Sequence, residues 1–495
     1  MTDPLPHADR LGHVLSQGGD ARIRIDPATG RNPYMSSPWP AATVAYASST
    51  ANDISADAYA VGLKRLGELA PGGVLSPEAY AAALGDLRLR ILAAYEVRLP
   101  ATVVFAASGT DLEYVGLAHA KGRAGGRPIR NVLLGADEVG SGCVFSARGE
   151  FFASETARGL PATKGEPIGG TLPGRIELYN IPVRDDAGRA FRAAEMAEAI
   201  DRAVAEAQAA GKHTLVHVLH GSKTGLVVPH LDHIDALLAR HGEAVSFIVD
   251  ACQARITSRA IHDYLARGCI VMLTGSKFMG GPPFSGFALV PHGALENAAD
   301  LPRGFAAIFA RAEWPGEWPG AQALEAEANL GLLMRLEASV FELERFQAIP
   351  LPRVERVVLA FHAAVRATFV ERLGGRRLAP YEPGARPEGD AHPVEMRTLS
   401  TIDLRGLPGS PDFDAAVRLH KALVARGVRL GQPVKCVKLP DGRWGATLRV
   451  GLSMPQVTAF DAMDDAAMTA KLAADMDLIV GAIEDALPEA AATGA

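Results

Sequence analysis

Seven short apolar runs alternate with helix-like segments between residues 101 and 291, and this alternation most constrains the fold. The runs are ATVVFAAS (101–108), NVLLGAD (131–137), RIELYNIPV (175–183), HTLVHVLH (213–220), AVSFIVDA (244–251), CIVMLTGS (269–276) and GFALVP (286–291). Amphipathic stretches such as LDHIDALLARHG separate several of them. Near-continuous apolar strands that alternate with helices are typical of a parallel sheet buried on both faces. We therefore predict an α/β protein with a seven-stranded, mostly parallel sheet.

The connection between the last two runs predicts one reversal of direction in this sheet. Only nine residues, 277–285, join them. A parallel crossover needs about a dozen residues or more, usually with a helix. The final strand should therefore run antiparallel to its predecessor, and Lys277 is the first residue of the turn between them.

The rest of the chain suggests an N-terminal segment and a second domain. Residues 1–50 are rich in Pro, Gly and Ser and read as irregular chain, whereas 326–346 has strong helical periodicity and a boundary follows it. The last part is predicted to contain a helix (353–373), a surface loop (381–393), a strand (394–404), a helix (412–426), a hairpin around 439–442, a strand (447–453) and a long terminal helix. We predict an N-terminal segment, 1–55, that contributes to the small domain or to the entrance of the site. A large domain, 56–348, and a small α+β domain, 349–495, follow it.

The composition is that of an ordinary folded protein. The chain has 495 residues, 48% hydrophobic and 21% charged, a length that suits two or three domains. The net charge of −6 provides no basic footprint for a nucleic acid. No apolar window is long enough for a membrane helix, and the polar N-terminus lacks the apolar stretch of a signal peptide. We therefore expect a cytoplasmic protein with neither a nucleic-acid nor a membrane partner.

Cysteine and histidine spacing argues against a disulfide scaffold and against a metal site. The four cysteines are scattered and form no CxxC pair, which fits a reducing compartment: Cys143, Cys252, Cys269 and Cys436. Cys436 alternates within the predicted hairpin, which poorly suits a mobile catalytic thiol. His230 and His233 form an H-x-x-H pair without a third ligand in the sequence, so we expect no metal.

Polar residues follow four of the predicted strands at the point where each strand ends. These endings are Ser108-Gly109-Thr110-Asp111, His220-Gly221-Ser222-Lys223-Thr224-Gly225, Asp250-Ala251-Cys252-Gln253 and Thr274-Gly275-Ser276-Lys277. Ligands of open α/β sheets bind beyond the carboxyl ends of the strands. We therefore predict that the four endings converge on one cleft.

Each ending suits one part of a phosphorylated aromatic cofactor. Ser108, Gly109 and Thr110 at a helix start offer backbone N–H groups and the positive end of the helix dipole to a phosphate. The hydroxyls of Thr274 and Ser276 could bind the same phosphate. Asp250 at the end of a strand can pair with a protonated ring nitrogen. A desolvated lysine such as Lys277 can form a Schiff base.

The motifs together resemble the fold type I enzymes that depend on pyridoxal 5'-phosphate (PLP), in the branch of class V aminotransferases and cysteine desulfurases. VDACQ (249–253) resembles the branch's D-x-x-Q, in which Asp250 would bind the ring nitrogen and Gln253 the ring hydroxyl. TGSK (274–277) resembles the element whose lysine carries the cofactor, and Lys277 follows Asp250 by 27 residues, a spacing typical of the branch. The resemblance spans roughly residues 45–455, with the motifs in family order.

Three further stretches carry the same resemblance. SGTD (108–111) resembles the phosphate-binding turn and HGSKTG (220–225) a loop that touches the cofactor, which adds Asp111, His220 and Ser222 to the candidate cofactor-binding residues. Arg449 in TLRVGLS resembles the small-domain arginine that binds the substrate's α-carboxylate. His220 could equally be a core histidine.

The resemblance implies a PLP-dependent enzyme that acts on a small-molecule amino acid or amine through a Schiff base at Lys277. It also implies a homodimer with shared active sites. Aminotransfer is the first hypothesis for the reaction, because the branch is rich in it. A lyase, a decarboxylase or a carbon–carbon-bond-forming enzyme of the same superfamily is the alternative. A non-catalytic protein that keeps the fold for binding is the alternative from another class.

The sequence departs from the family pattern at several positions. The ring-stacking residue has no aromatic counterpart in DEVGSG (137–142), which leaves Val139, Glu138 or a residue from elsewhere to cover the ring. Asp111 stands where a small hydroxyl residue is usual, and its charge should point away from the phosphate.

Two further departures concern loops. HGSKTG is one residue short, so that either Ser222 or Lys223 could face the ring. AEWPGEWPGA (312–321) falls roughly where the family has a phosphate contact from the neighbouring subunit, and its tryptophans could line the pocket or pack in the core.

Overall fold

The computed structural model describes residues 7–170, 175–378, 393–407, 409 and 412–492. The predicted loop 381–393 lies outside these residues except for Pro393. The N-terminal part forms five elements: α1 (His7–Leu15), a 3-10 turn (Ala21–Ile23), β1 (Val44–Tyr46), α2 (Ala56–Leu69) and α3 (Pro77–Ala94). Ser55 and Ser76 cap α2 and α3 by accepting hydrogen bonds from the backbone N–H groups three residues on, which is why APGGVLSP ends one helix and starts the next.

The central sheet has the predicted architecture. Its strands are β2 (Ala101–Ala106), β3 (Ile129–Leu134), β4 (Ile176–Ile181), β5 (His213–His220), β6 (Val227–Val228), β7 (Val245–Asp250), β8 (Ile270–Thr274) and β9 (Gly286–Pro291). The spatial order is β2-β9-β8-β7-β5-β3-β4, and β6 pairs with β5. Strands β4, β3, β5, β7 and β8 are parallel, whereas β9 is antiparallel to both β8 and β2. The predicted seven strands and the final reversal are confirmed. The two-residue β6 was not predicted, because so short a strand has no periodicity to detect.

Helices cover both faces of this sheet. They are α4 (Gly109–Ala124), α5 (Cys143–Ser146), α6 (Ala193–Ala209), α7 (Leu231–His241), α8 (Ser258–Ala266), α9 (His292–Glu296) and α10 (Leu330–Gln347). Alternate residues of β2 belong to opposite cores: Val103 packs in the cluster that contains α10, and Val104 packs in the cluster that contains α4. Because both faces are largely apolar, the polar side chains of the predicted site lie at the strand ends.

The C-terminal part builds a second, smaller sheet. Its elements are α11 (Leu351–Val365), a π-helical segment (Arg366–Arg372), β10 (Arg376–Leu378), β11 (Leu399–Asp403), α12 (Phe413–Ala425), β12 (Val428–Leu430), β13 (Thr447–Gly451), α13 (Met454–Asp461) and α14 (Asp465–Ala492). Strands β10, β11 and β13 form an antiparallel sheet in that order. The predicted strand 394–404 is shorter, because a 3-10 turn occupies Val394–Met396.

The N-terminal segment contributes a strand to a third, two-stranded sheet and also contacts the large sheet. Strand β1 pairs in parallel with β12, and the Tyr46 hydroxyl lies 2.9 Å from Asp475 of α14. A few residues later, Asn52 contacts the turn that follows β8. Residues 44–53 therefore lie across the carboxyl ends of the large sheet. No helix in the described part of the chain is long and apolar enough to cross a membrane.

Candidate active site

A cavity of about 480 Å³ lies at the carboxyl ends of the parallel strands. Its lining includes most of the predicted site residues: Ser108, Gly109, Thr110, Ser222, Asp250, Gln253, Thr274, Ser276, Lys277 and Arg449. Asp111 and His220 are not among the lining residues. Side chains separated by more than 300 positions thus meet in one cleft, as the strand-end argument predicts.

The backbone at Lys277 is held from both sides. The Asn52 amide donates hydrogen bonds to the carbonyls of Ser276 (3.1 Å) and Lys277 (2.6 Å). Gly275 packs so closely on α10 that a Cβ there would lie 2.2 Å from the hydroxyl of Ser339. The turn is therefore fixed in place while the lysine side chain faces the cavity. Asn52 was missed in the sequence analysis, because nothing in its local sequence marks it.

Asp250 ends β7 with a carboxylate that has no cationic partner among the described residues. Its Oδ1 accepts a hydrogen bond from the backbone N–H of Cys252 at 3.0 Å. Near it, His217 Nδ1 lies 3.2 Å from Glu113 Oε2, and both side chains are fully buried. Burial lowers the pKa of His217 to about 3, and burial together with the charge of Asp250 raises that of Glu113 well above its ordinary value. The pair is therefore neutral, and it leaves the charge of Asp250 for a ligand.

Ser108 and Gly109 form a tight start to α4. Ser108 is the N-cap, and its hydroxyl donates to Asp111 Oδ2 at 2.5 Å. Burial raises the pKa of Asp111 to about 6. A Cβ on Gly109 would lie 3.0 Å from Cys252 Sγ and 3.1 Å from Thr274 Cγ2. The backbone of this turn can therefore approach the cavity closely, and the Asp111 carboxylate is held by Ser108.

The hydroxyl of Thr274 is also engaged. It donates a hydrogen bond of 2.6 Å to the carbonyl of Cys252. Thr274 thus ties the end of β8 to the Asp250 turn. Thr274 and Cys252 both line the cavity, so the hydrogen bond between them fixes the relative position of two of the four predicted strand endings.

Arg22 is a cavity residue that the sequence analysis missed. Its guanidinium lies 4.9 Å from the ring centroids of both Phe152 and Phe284, and its Nη2 lies 2.6 Å from Asp20 Oδ2. The next residue, Ile23, packs in one cluster with Ala107, which directly precedes Ser108. Arg22 therefore lies beside the start of α4. It comes from a segment without periodicity, so no local signal could have assigned it to the site.

Arg449 also lines the cavity. The residue is 4% exposed and donates to oxygen atoms of Gln432, Ser49 and Thr50 at 2.9 to 3.0 Å. Burial lowers its pKa to about 10. No carboxylate of the described residues lies within 4 Å of its guanidinium, so this cation is available to an anion in the cavity.

The HGSKTG loop is anchored on Glu138. The Glu138 carboxylate accepts hydrogen bonds from the hydroxyls of Ser222 and Thr224, both at 2.7 Å, and from Arg184 Nε at 2.9 Å. Burial alone would raise the pKa of Glu138, but the charge of Arg184 and these hydrogen bonds lower it below its ordinary value. Glu138 and the buried Val139 beside it both line the cavity, but the carboxylate of Glu138 is committed to the loop.

Gln253 and His220 differ in their surroundings. Gln253 lines the cavity, donates to the carbonyl of Ser49 at 3.1 Å and accepts from Arg255 Nη1 at 2.6 Å. His220 is buried, and its Nδ1 lies 3.0 Å from the hydroxyl of Tyr264. The predicted D-x-x-Q residues therefore both reach the cavity, and His220 packs behind it.

The remaining candidates of the sequence analysis lie outside the cavity. Trp314 and Trp318 are buried against each other in a T-shaped contact, with ring centroids 4.9 Å apart. Cys436 is buried, and burial raises the pKa of its thiol to about 12. These tryptophans therefore have a packing role, and Cys436 is not a reactive thiol.

A carboxylate lies beside the H-x-x-H pair, and the sequence analysis did not consider it as a third possible metal ligand. His233 Nδ1 lies 3.6 Å from Asp232 Oδ1, and one possible ligand atom from each of His230, Asp232 and His233 lies within 4.8 Å of the others. All three are at the start of α7, outside the cavity lining.

Three solved structures show what this architecture resembles. Serine palmitoyltransferase from Sphingomonas wittichii is 14% identical with a TM-score of 0.51, over 87% of this chain and 84% of that chain. The cysteine desulfurase CsdA from Escherichia coli is 14% identical with a TM-score of 0.54, over 90% and 95%. Mouse CSAD is 16% identical with a TM-score of 0.53, over 87% and 81%. No protein-family model and no curated protein matches the sequence. The likeness is one of fold, and it confirms that this chain has the fold type I architecture of PLP-dependent enzymes.

Proposed function

We propose that this chain is a PLP-dependent enzyme that acts on an amino acid or a related amine, with Lys277 as the residue that binds the cofactor covalently. The observation that carries the proposal is the arrangement around one cavity of Lys277, the Asp250 carboxylate and the Ser108–Thr110 helix start.

The residues present fit this cofactor. The cavity of about 480 Å³ is in the usual range of ligand sites, roughly 300–1,000 Å³. Asp250 has no cationic partner among the described residues, and a protonated ring nitrogen would supply one. Gly109 brings backbone close to the cavity at a helix N-terminus, where a phosphate is favoured. Arg22 beside that helix start adds a positive charge.

The bound cofactor would supply an electron sink for negative charge that develops on the substrate carbon next to the amino group. Asp250 would keep the ring nitrogen protonated. Lys277 Nζ, when it is not bound to the cofactor, would move a proton at that substrate carbon as a general base or acid. Arg449 would orient the substrate carboxylate, and Val139 would cover one face of the ring.

Aminotransfer remains the first hypothesis for the reaction, and a lyase, decarboxylase or carbon–carbon-bond-forming reaction is the alternative. A cysteine desulfurase reaction is disfavoured. It needs a reactive thiol, and all four cysteines of this chain are buried, with burial raising the pKa of each thiol. The homodimer implied by the resemblance also stays a proposal, which light scattering on the purified protein would test.

Absorbance spectroscopy tests the central proposal. PLP added to the purified chain should produce a new visible band, and borohydride should then fix the cofactor to a peptide that contains Lys277. Lys277→Ala should abolish the reducible adduct, whereas Lys212→Ala, which changes a lysine paired with Glu177 elsewhere, should not. A protein that stays colourless with PLP, or a Lys277→Ala variant that still forms the adduct, would refute the proposal and favour a non-catalytic binding protein.

The same spectra distinguish the reaction types. An aminotransferase exposed to an amino donor alone leaves the cofactor in its amino form, so the visible band is lost and returns only when a keto acid is added. A lyase restores the band after each turnover. Product identification by mass spectrometry with a set of amino acids would then name the substrate.

A further inference from the structure

We propose that the substrate carries a second anionic group in addition to its α-carboxylate, and that Lys223 binds this group. The inference rests on the proposed function and concerns the substrate end of the same cavity. It assigns the substrate to amino acids with an acidic side chain.

The charges of the cavity wall point to this class. Five cationic residues line the cavity, Arg22, Lys223, Lys277, Lys435 and Arg449, against three acids, Asp137, Glu138 and Asp250. Glu138 pairs with Arg184, and Arg22, which also contacts Asp20, is the proposed partner of the cofactor phosphate. The proposed cofactor would take Lys277 and Asp250. Three cations then remain, opposed by Asp137 alone.

One of the three, Lys223, has an ammonium group with free hydrogen-bonding capacity. Its Nζ donates to the carbonyl oxygen of Asp137 at 3.0 Å, and no carboxylate of the described residues lies within 4 Å of it. An ammonium has three N–H donors, so two stay available. Arg449, by contrast, already donates to protein oxygen atoms through Nε, Nη1 and Nη2. Arg449 can therefore serve one carboxylate, and the free N–H groups of Lys223 can serve another.

Lys223 and Arg449 are neighbours in space. Arg449 Nη1 lies 3.5 Å from the carbonyl oxygen of Lys223. Burial lowers the pKa of Lys223 to about 8, and the nearby charge of Arg449 contributes. An anion in contact with Lys223 would raise this pKa again and favour the charged ammonium. A compact molecule with two anionic groups would satisfy both cations, whereas a neutral side chain would leave Lys223 without an ionic partner.

The test compares substrates that differ only in charge. The PLP-loaded protein is titrated with L-glutamate and L-glutamine, and with L-aspartate and L-asparagine, and the change in cofactor absorbance gives each Kd. Wild type should bind the acids at least about tenfold tighter than the amides, the size expected of one charge-assisted contact. Lys223→Met should reduce this ratio to about one while the Kd values of the amides stay unchanged. Lys438→Met, which removes a lysine paired with Asp186 outside the cavity lining, should keep the wild-type ratio.

Three outcomes would overturn the inference. The first outcome is equal affinity of the wild type for the acids and the amides. The second is a loss of affinity by the same factor for both in Lys223→Met, which would mean that Lys223 contacts the shared α-carboxylate or has a structural role. The third outcome is a spectrum that none of the four amino acids changes, and this result would exclude the substrate class named here. Failure of the proposed function looks different, because PLP itself would then produce no visible band. Near-ultraviolet circular dichroism and the Kd for PLP show whether Lys223→Met is correctly folded.

Discussion

Replacing Asp111 by Asn should make the protein more stable at neutral pH. Asp111 is 4% exposed, and burial raises its pKa from 3.8 to about 6. Each pKa unit corresponds to about 1.4 kcal/mol, so a shift of about two units costs the folded state about 3 kcal/mol once the group is ionised. Asn has nearly the same shape, and its side-chain oxygen can still accept the Ser108 hydroxyl.

The sign follows from proton binding in the two states. Between about pH 4 and pH 6 the folded state holds the Asp111 proton and the unfolded state has lost it, so the free energy of unfolding decreases as pH rises. The Asp111→Asn variant has no carboxyl group at this position and lacks this dependence. Its stability relative to wild type should therefore increase by about 3 kcal/mol from pH 4 to pH 7.

Urea unfolding at several pH values measures this difference. Tryptophan fluorescence is a suitable signal, because Trp314 and Trp318 pack in the same core cluster as α4. Asp57→Asn is the matched control, since Asp57 is an exposed acid in the first turn of α2 and pairs with Arg345. It should show no such increase. A relative stability of Asp111→Asn that stays constant within about 1 kcal/mol across this range would refute the reasoning.

Four further predictions follow from the same contacts. Arg22→Gln should weaken the binding of PLP by about tenfold or more, whereas the affinity for pyridoxal, which lacks the phosphate, should be unchanged. The control is Arg24→Gln, which changes an exposed arginine paired with Glu155. Equal losses of affinity for the two ligands in Arg22→Gln would contradict a phosphate contact. Asn52→Ala should destabilise the Lys277 turn by about 1–3 kcal/mol and weaken PLP binding, because two backbone carbonyls lose their donor. Gly109→Ala should weaken PLP binding, because the new Cβ meets Cys252 Sγ. Adding Cys252→Ala to this variant should partly restore binding. An unchanged Kd for PLP in the single variant would argue against the close backbone approach. Cys436→Ser should leave turnover within about twofold of wild type, and a complete loss of activity in a folded variant would contradict its buried, unreactive state.

The sequence alone determined the architecture and the centre of the candidate site. Residues of β7 and β8 alternate between two apolar cores, a pattern that local sequence expresses directly. Asp250 and Thr274 end these strands, and Lys277 lies in the turn after β8, so their meeting at one edge follows from the parallel arrangement. The short connection 277–285 likewise predicted the antiparallel β9.

Only the tertiary structure decided which distant side chains complete the cavity. Asn52 reaches the site because β1 pairs with β12 and carries the segment after it to the strand ends. Arg22 lies in a 3-10 turn whose Ile23 packs in one cluster with Ala107 and Phe284, and this packing places it at the cavity. The direction of a side chain within a strand-end turn is also a tertiary matter. Asp111 turns to Ser108 and His220 packs beside Tyr264, although both follow strands just as Asp250 does. Periodicity reports which positions are buried, whereas the direction of a turn's side chains depends on hydrogen-bond partners that only the folded chain brings close.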